Sequence, residues 1–569
     1  MTLLAIGVPG AIRIGTRGSA LALVQAGLVA DALRTTGARV CVETIVTAGD
    51  ERAPDTAWGE GAFVTAIEQA LLEGRVDVAV HSAKDVPTDE DPRLAIAAFL
   101  PREPAHDVLV LPGGRRIDGL DELAPGLRVG TDSPRRAAFL RAARPDLVVH
   151  SLHGNVDTRL RRLEAGETDA LVLAAAGLRR LGRADRISLD LPFDEMPSAP
   201  GQGALAVQVR ADDAATREIV GTIDDVATRR AVVAERNLLA AAGGGCRAPL
   251  GCLATDDTGA FRLRGGYATP DGRIAVTATG STADDRAPDD DALVRATLRD
   301  LVTRACAAAA ADGLPRVVVT RPVGDATAIA LALIDRGYAP VLVPAIAIEP
   351  LVTPTADDLL RQLAHGDWVV VTSVNTVRAL TTAAKRLEID PARPGLCWAA
   401  VGAGTGRALR SAGIAVAFQP GQATAAALVE GLPVIAGETV IYGHGDLVDR
   451  TVAARLSERG ARVVSAALYR TVEAPIDSEA GIRAAFAPRP GAVVMYSGSA
   501  VRGWLSLARA SRAEAWARSI NVVAVGPRTA AEARRHGLHV AAQAARPGPI
   551  DVAEAVIAAT AAQPRQEIR

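Results

Sequence analysis

The sequence predicts a multidomain α/β protein, and three observations carry that reading. Its 569 residues, 49% of them hydrophobic, exceed what one core accommodates and suffice for roughly three to five. Short apolar runs at 76–80, 171–175, 317–320, 369–372 and 493–496 alternate with amphipathic helical patterns, as in mostly parallel sheets covered by helices. The second half of the chain nearly repeats itself. Ser373, Val377 and Arg378 return 124 residues later as Ser497, Val501 and Arg502, and Val401, Gly402, Thr405 and Gly413 return at the same offset as Val525, Gly526, Thr529 and Gly537. One offset shared by separate segments predicts two copies of one α/β module, pseudo-duplicated lobes with a cleft between them.

The boundary between the halves follows from the acidic stretch 281–290, the helical pattern after it, and the turn 313–316 that opens a fresh strand. This sets a first half of 1–312 and a second of 313–569. A net charge of −2 and a pI near 6.5 argue against a nucleic-acid or membrane surface, so anion binding has to come from local arginine clusters. No apolar run of membrane-spanning length occurs and the first residues lack a signal-peptide pattern, so a cytoplasmic protein is expected. Five widely scattered cysteines suit reduced thiols, and no Cys/His grouping has zinc-site spacing, so no metal is expected. Lys84 and Lys385 are the two lysines in a chain that otherwise uses arginine.

In the first half, VDVAVHSAKDVPT puts Lys84 and Asp85 in the loop after a buried strand, where a carboxylate can be aimed into a cleft; the plainer reading is a surface ion pair between neighbours. GTDSPRRAAFL supplies Thr131, Ser133, Arg135 and Arg136, and SLHGNVDTRLRRL supplies His153, Asn155 and Arg159. AAGLRRLG adds Arg179 and Arg180, and IGTRGSALA adds Arg17 and Ser19. Guanidinium forks at strand and helix starts suit bidentate capture of carboxylates, although RLRRL taken alone reads more readily as a solvated helix face. In AAGGGCRAPLG the glycines 243–245 hold Cys246 in an exposed loop, which leaves open whether the thiol is incidental or carries a covalent attachment. In the second half, small polar residues sit beyond the strand ends of each copy, Ser373 and Asn375 in one, Ser497 and Ser499 in the other, where open parallel sheets bind ligands.

Together, IGTRGSALA, HSAKDVPT, GTDSPRR, HGNVDTRL, AGLRRLG, APGQGALAV and GGGCRAPLG resemble hydroxymethylbilane synthase, also called porphobilinogen deaminase, over about residues 11–255. The second half is similar to uroporphyrinogen-III synthase through VVVTRP, VVVTSVN, VGAGTGRAL, ALYRT and VGPRTAAEA. The first resemblance implies two periplasmic-binding-protein-like lobes, about 11–105 with 200–225 and about 106–199, plus a small α/β cofactor domain at about 226–312. It implies a dipyrromethane cofactor in thioether linkage to Cys246, to which four porphobilinogens are added through azafulvene electrophiles. It also implies Asp85 as the acid-base carboxylate, with Lys84, Thr131, Ser133, Arg135 and Arg136 holding the cofactor and Arg17, Ser19, His153, Arg159 and Arg180 the growing chain. Three departures stand out: His153 where Arg is common, Glu60 where Lys is usual, and Gln208 where an acid is common.

The second resemblance implies closure of hydroxymethylbilane to uroporphyrinogen III with inversion of the last ring, through a spiro intermediate. It implies Tyr469 as general acid, against the plainer reading of a half-buried linker tyrosine, and a cleft walled by Ser373, Asn375, Ser497, Gly526 and Thr529, with Thr405 as counterpart of Thr529. One lobe is expected from about 316–350 with 472–569 and the other from about 351–471. A monomer acting on small molecules is expected. Three alternatives compete: anion-binding modules without chemistry, a nucleotide site at VGAGTG, where Arg407 takes the place of the third glycine, and a second half that only scaffolds the first. Fusing the two halves would raise the effective concentration of the second site near the point of release.

Overall fold

The computed structural model describes residues 10–46, 64–88, 90–244, 248–257, 259–282, 290–447, 451–485 and 488–561. Glu60, Gly245, Cys246 and residues 283–289 of the acidic stretch lie outside them. The chain forms two compact units, Met1–Pro315 with Thr327–Pro340, and Arg316–Ala326 with Val341–Arg569.

The first unit holds two five-stranded sheets of matching plan. In one, Val40–Thr44, Ile12–Thr16 and Val78–Ser82 run parallel, followed by Leu205–Arg210 and Leu94–Phe99; in the other, Val148–His150, Arg128–Gly130 and Ala170–Ala174 run parallel, followed by Asp107–Val110 and Leu189–Leu191. Leu205–Arg210 and Asp107–Val110 are antiparallel to their neighbours, so these sheets are mixed. These are the strands by which the chain passes between lobes, and a strand arriving from elsewhere needs no helical crossover to pair antiparallel. A third sheet, Leu250–Asp257, Ala260–Ala268 and Ala275–Ser281, is antiparallel and packs against helices Val226–Ala241 and Asp290–Ala311.

The two crossing segments lie side by side. Glu103 N–H donates to the Gly203 carbonyl (3.2 Å), Leu100 N–H to the Leu205 carbonyl (3.3 Å), and Arg102 Nε to the Gln202 carbonyl (2.8 Å). Gly203 has φ +88°, and a Cβ there would sit 2.2 Å from the Glu103 carbonyl oxygen, so the close approach of the two segments requires glycine. Beneath them Asp107, fully buried, accepts from Arg135 Nη1 (2.7 Å), Arg136 Nη2 (2.7 Å) and Gln202 Nε2 (3.0 Å), and the two guanidinium groups hold its carboxyl far below the usual range despite burial. Equally buried Glu235, on helix Val226–Ala241, accepts from Arg102 (2.6 Å), from Gly201 N–H (2.6 Å) and from Ala254 N–H (2.8 Å). Two carboxylates thereby tie both lobes and the third sheet together.

The second unit contains two sheets. One, wholly β/α in plan, has the order Ala339–Leu342, Arg316–Val319, Ala492–Met495, Asn521–Ala524, Val540–Gln543; the other has Ile346–Pro350, Arg462–Glu473, Thr439–Gly445, Trp368–Val371, Cys397–Ala400. Ile346–Pro350 pairs antiparallel with Tyr469–Glu473 in the second of these sheets. The chain therefore changes sheet just before Ile346 and after Glu473, a few residues from the expected 350 and 472, because both crossing segments stay extended and bond to each other. The repeated residues cap equivalent helices: Ser373 Oγ accepts from Thr376 N–H and Ser497 Oγ from Ala500 N–H, while Gly402 and Gly526 are extended N-caps of Ala403–Ser411 and Pro527–Arg535.

Removing Asp107 leaves two buried guanidinium groups facing each other. Asp107→Ala is expected to destabilise the first unit by about 3–5 kcal/mol, read as an earlier first transition in urea unfolding of the full chain. A loss under about 1 kcal/mol would show that solvent, not Asp107, neutralises Arg135 and Arg136.

Candidate functional site

In the first unit the strand Val78–Ser82 ends in a single helical turn, Ala83–Asp85, whose Ala83 N–H donates to the Ala204 carbonyl (3.0 Å) on a crossing segment. That bond fixes the exposed Asp85 at the lobe junction. The half-buried Lys84 Nζ donates to Gln202 Oε1 (3.2 Å); burial first, then the Arg136 charge, holds its ammonium down to about 8. Gln202 thus hands one amide to both sides, accepting from Lys84 and donating to Asp107.

Arg135 and Arg136 open helix Pro134–Ala143 and are buried against Asp107; Arg135 also donates to the Pro197 carbonyl and Arg136 to the Val172 carbonyl. Ser133 is the N-cap of this helix, accepting from Arg136 N–H (3.4 Å), and its own N–H donates to buried Thr131 Oγ1 (3.2 Å). Arg159, on helix Val156–Glu164 capped by Asn155, lies within electrostatic reach of Asp85, Asp132 and Arg136. Its Nε is buried with no hydrogen-bond partner among the described residues, and burial, then Arg136, pushes its guanidinium down to about 10. Arg180 donates to the Gly203 carbonyl (2.7 Å), with its Nε likewise unpaired among the described residues and its basicity lowered by burial. Arg17 and Ser19 occupy the turn before helix Ala20–Thr35, and Ser19 Oγ caps it by accepting from Ala22 N–H (3.3 Å). His153, buried, sits with Nδ1 2.9 Å from Asp132 Oδ2 and Nε2 3.1 Å from Ser151 Oγ.

The net result is one exposed carboxylate beside a surplus of cations at the junction of two lobes. Sequence reasoning missed Asp107, Gln202, Glu235 and Arg236. Arg236 donates to the Val86 and Pro87 carbonyls (2.8 and 2.7 Å) and to Glu90 (2.6 Å), gripping the segment just after Asp85. The glutamine of APGQG was the one legible signal, since a polar residue between two glycines at a strand entrance needs a reason.

In the second unit Tyr469 is buried within strand Arg462–Glu473, with its Oη 3.1 Å from Ser373 Oγ at the N-terminus of helix Val374–Arg386. A Cβ on Gly445 would meet the Tyr469 ring at 2.6 Å, so that glycine admits the phenol. Asn375 is half-buried in the first turn of the same helix. Ser497 and Ser499 share a 2.9 Å contact at the start of Gly498–Ala510, and Thr405 and Thr529 are buried in the first turns of the Gly402- and Gly526-capped helices. Missed here was Arg321, from VVVTRP, whose guanidinium lies 4.5 Å from the centre of the Tyr496 ring where strands Arg316–Val319 and Ala492–Met495 end. Burial, opposed by Arg321, pushes the Tyr496 phenol up to about 12.

Residues 12–218 match the family described as porphobilinogen deaminase, dipyromethane cofactor binding domain, and residues 229–299 match porphobilinogen deaminase, C-terminal domain. Residues 327–553 match uroporphyrinogen-III synthase HemD. The porphobilinogen deaminase of Mycobacterium avium is 46% identical over 303 residues, 52% of this chain and 95% of that protein; that of Mycobacterium tuberculosis is 45% identical over 303 residues, 52% and 97%. Among solved structures, a mutant uroporphyrinogen III synthase from Thermus thermophilus matches 44% of this chain and 100% of its own at 24% identity and a TM-score of 0.34. A periplasmic substrate-binding protein of an ABC transporter from Coxiella burnetii matches 37% and 91% at 16% identity and a TM-score of 0.25. The chain belongs to the porphobilinogen deaminase family over its first half and carries a uroporphyrinogen-III synthase domain after it.

Proposed function

We propose that the first half condenses four porphobilinogens, with loss of ammonia, into hydroxymethylbilane, and that the second closes this to uroporphyrinogen III with inversion of ring D. The observation that carries the first assignment is the exposed Asp85 beside Lys84 and Arg159, with Arg135 and Arg136 within electrostatic reach of Lys84. Pyrroles bearing acetate and propionate groups need this combination, cations for the carboxylates and one anion for the ring N–H groups.

The residues fit a dipyrromethane. The buried Nε atoms of Arg159 and Arg180 lack partners among the described residues, and the cluster carries more cations than acids. A cofactor on Cys246 would supply the free pyrrole α-carbon from which the chain is extended. Lys84, Arg135 and Arg136, with Thr131 and Ser133, hold its carboxylates; Arg17, Ser19, His153, Arg159 and Arg180 take those of the incoming and growing rings. Asp85 accepts from the ring N–H groups, stabilises positive charge as ammonia leaves, and moves the proton lost at each α-carbon.

In the second half Tyr469 donates a proton to the departing hydroxyl, while Ser373, Asn375, Ser497, Gly526 and Thr529 offer hydroxyl, amide and backbone donors that fold the linear molecule. The Tyr469 to Ser373 contact supports this. The protein acts as a cytoplasmic monomer on these small molecules.

An intact-protein mass spectrum of the full chain is expected to exceed the sequence mass by a dipyrromethane, and Cys246→Ser to lack the excess even after incubation with porphobilinogen. Equal masses for both proteins after that incubation would overturn the attachment. The Lys84 ammonium, at about 8, is charged below that pH and neutral above it. Conversion of apoprotein to the modified form by porphobilinogen should therefore slow about tenfold between about pH 7 and 9, whereas Lys84→Arg stays flat over that range. A parallel decline in both would assign the pH effect elsewhere. Tyr469→Phe is expected to lower the cyclisation rate on supplied hydroxymethylbilane by on the order of 100-fold, the product isomer being read by chromatography. An unaltered rate would leave the hydroxyl only its bond to Ser373.

A further inference from the structure

The helix Thr327–Ile334 opens the stretch matched to uroporphyrinogen-III synthase, yet it belongs to the compact unit formed by the deaminase half. Its sequence, TAIALALI, has no polar face, and seven of its eight residues are buried. A helix apolar all round needs cover on every side. Within the first unit that cover includes helix Asp290–Ala311, alongside which it packs.

Two side-chain hydrogen bonds pin its ends. Thr327 Oγ1 donates to the Ala241 carbonyl (3.2 Å), the last residue of helix Val226–Ala241. Asp335, one residue past the other end, accepts from Tyr267 Oη at 2.7 Å. Tyr267 is buried in the middle strand of the antiparallel sheet, and burial, then Asp335, raises its phenol well above the ordinary value, so it remains a donor. Asp335 is also raised, by burial.

What Thr327 touches matters because of what else that helix holds. Glu235 on Val226–Ala241 bonds Arg102 and Gly201 at the lobe crossing, and Arg236 grips the Val86 and Pro87 carbonyls behind Asp85. Helix Val226–Ala241 is therefore a strut from the crossing and the Asp85 loop to Thr327. We propose that Thr327 and Asp335, though they lie in the cyclase portion of the sequence, are positioning residues for the deaminase reaction, bracing this strut through Ala241 and Tyr267. This rests on the deaminase assignment above, and it makes the first half dependent on residues beyond its own family boundary.

The test uses the full-length fusion carrying Thr327→Val, Asp335→Ala, and the conservative Thr327→Ser and Asp335→Asn, which keep a donor and an acceptor in place. Readouts are kcat and KM for porphobilinogen consumption, the cyclisation rate on supplied hydroxymethylbilane, and amide hydrogen exchange. Thr327→Val and Asp335→Ala should each lower deaminase kcat about fivefold, the scale of one buried hydrogen bond, with KM within about twofold, and the conservative pair should restore it. Exchange should quicken within 226–241. A deaminase kcat within about twofold of wild type, with faster exchange confined to 327–340, would overturn the proposal by reducing the helix to filler. Unaltered exchange at 226–241 would overturn it whatever the activities, and that readout stands even if the wild type consumes no porphobilinogen, an outcome that would instead sink the deaminase assignment.

Discussion

The first half depends on the burial of two carboxylates where the chain crosses between lobes. An acid with no solvent is tolerable only where cations and amide donors surround it, and Asp107 and Glu235 each have such a shell. The shells differ in what they leave over. Glu235 is matched to Arg102 one for one, so it is a fastening. Asp107 faces two guanidinium groups, with Lys84 close enough to feel both, so the pocket keeps positive charge after Asp107 is satisfied. Burial is the first cause of the lowered basicity of Lys84 and Arg159, and the neighbouring Arg136 charge adds to it, a repulsion that a bound carboxylate would relieve.

The second half solves the same problem, presenting polar groups at a junction, with helix caps instead of buried ions. Each copy turns from strand into helix through a serine cap and, further on, a glycine cap, so the repeat seen in the sequence is chiefly a repeat of capping residues. The copies part company in what faces the serine. Ser497 meets Ser499, whereas Ser373 meets the phenol of Tyr469, which reaches it because Gly445 has no side chain. An asymmetric reaction on a pseudo-symmetric frame calls for one such difference between lobes.

Much of this was legible in the sequence. The five apolar runs are strands to within two residues at either end, since a run of β-branched residues bounded by turn signals leaves little choice. Strand direction was not legible: apolar content is the same for Leu205–Arg210 running either way, and only its arrival from the other lobe makes it antiparallel. Asp107 was equally hidden. In AHDVLVL it resembles any acid at a strand entrance, and its partners lie 28 and 29 residues on, on a helix whose arginines were read as facing a cleft. The helix 327–334 was assigned by chain order, which carries no information on what covers an all-apolar segment.

Two of the three departures from the deaminase pattern, Gln208 and His153, lie among the described residues and are accommodated locally. Gln208 stands where the resemblance leads one to expect an acid, and it lies fully buried between two titratable neighbours. Its Nε2 donates to Glu68 Oε1 (3.0 Å) and its Oε1 lies 3.2 Å from His81 Nε2. Burial holds His81 down to about 4 and raises Glu68. A carboxylate at 208 would face Glu68, on the neighbouring helix Thr65–Leu72, beside a histidine too desolvated to balance both acids, whereas an amide gives one hydrogen bond each way at no charge. His153 replaces a guanidinium with an imidazole, whose Nε2 contacts Ser151 Oγ at 3.1 Å and whose Nδ1 lies 2.9 Å from Asp132 Oδ2. What is held in place at position 208 is a hydrogen-bond pattern, and Gln202, six residues before it, keeps its separate bond to Lys84.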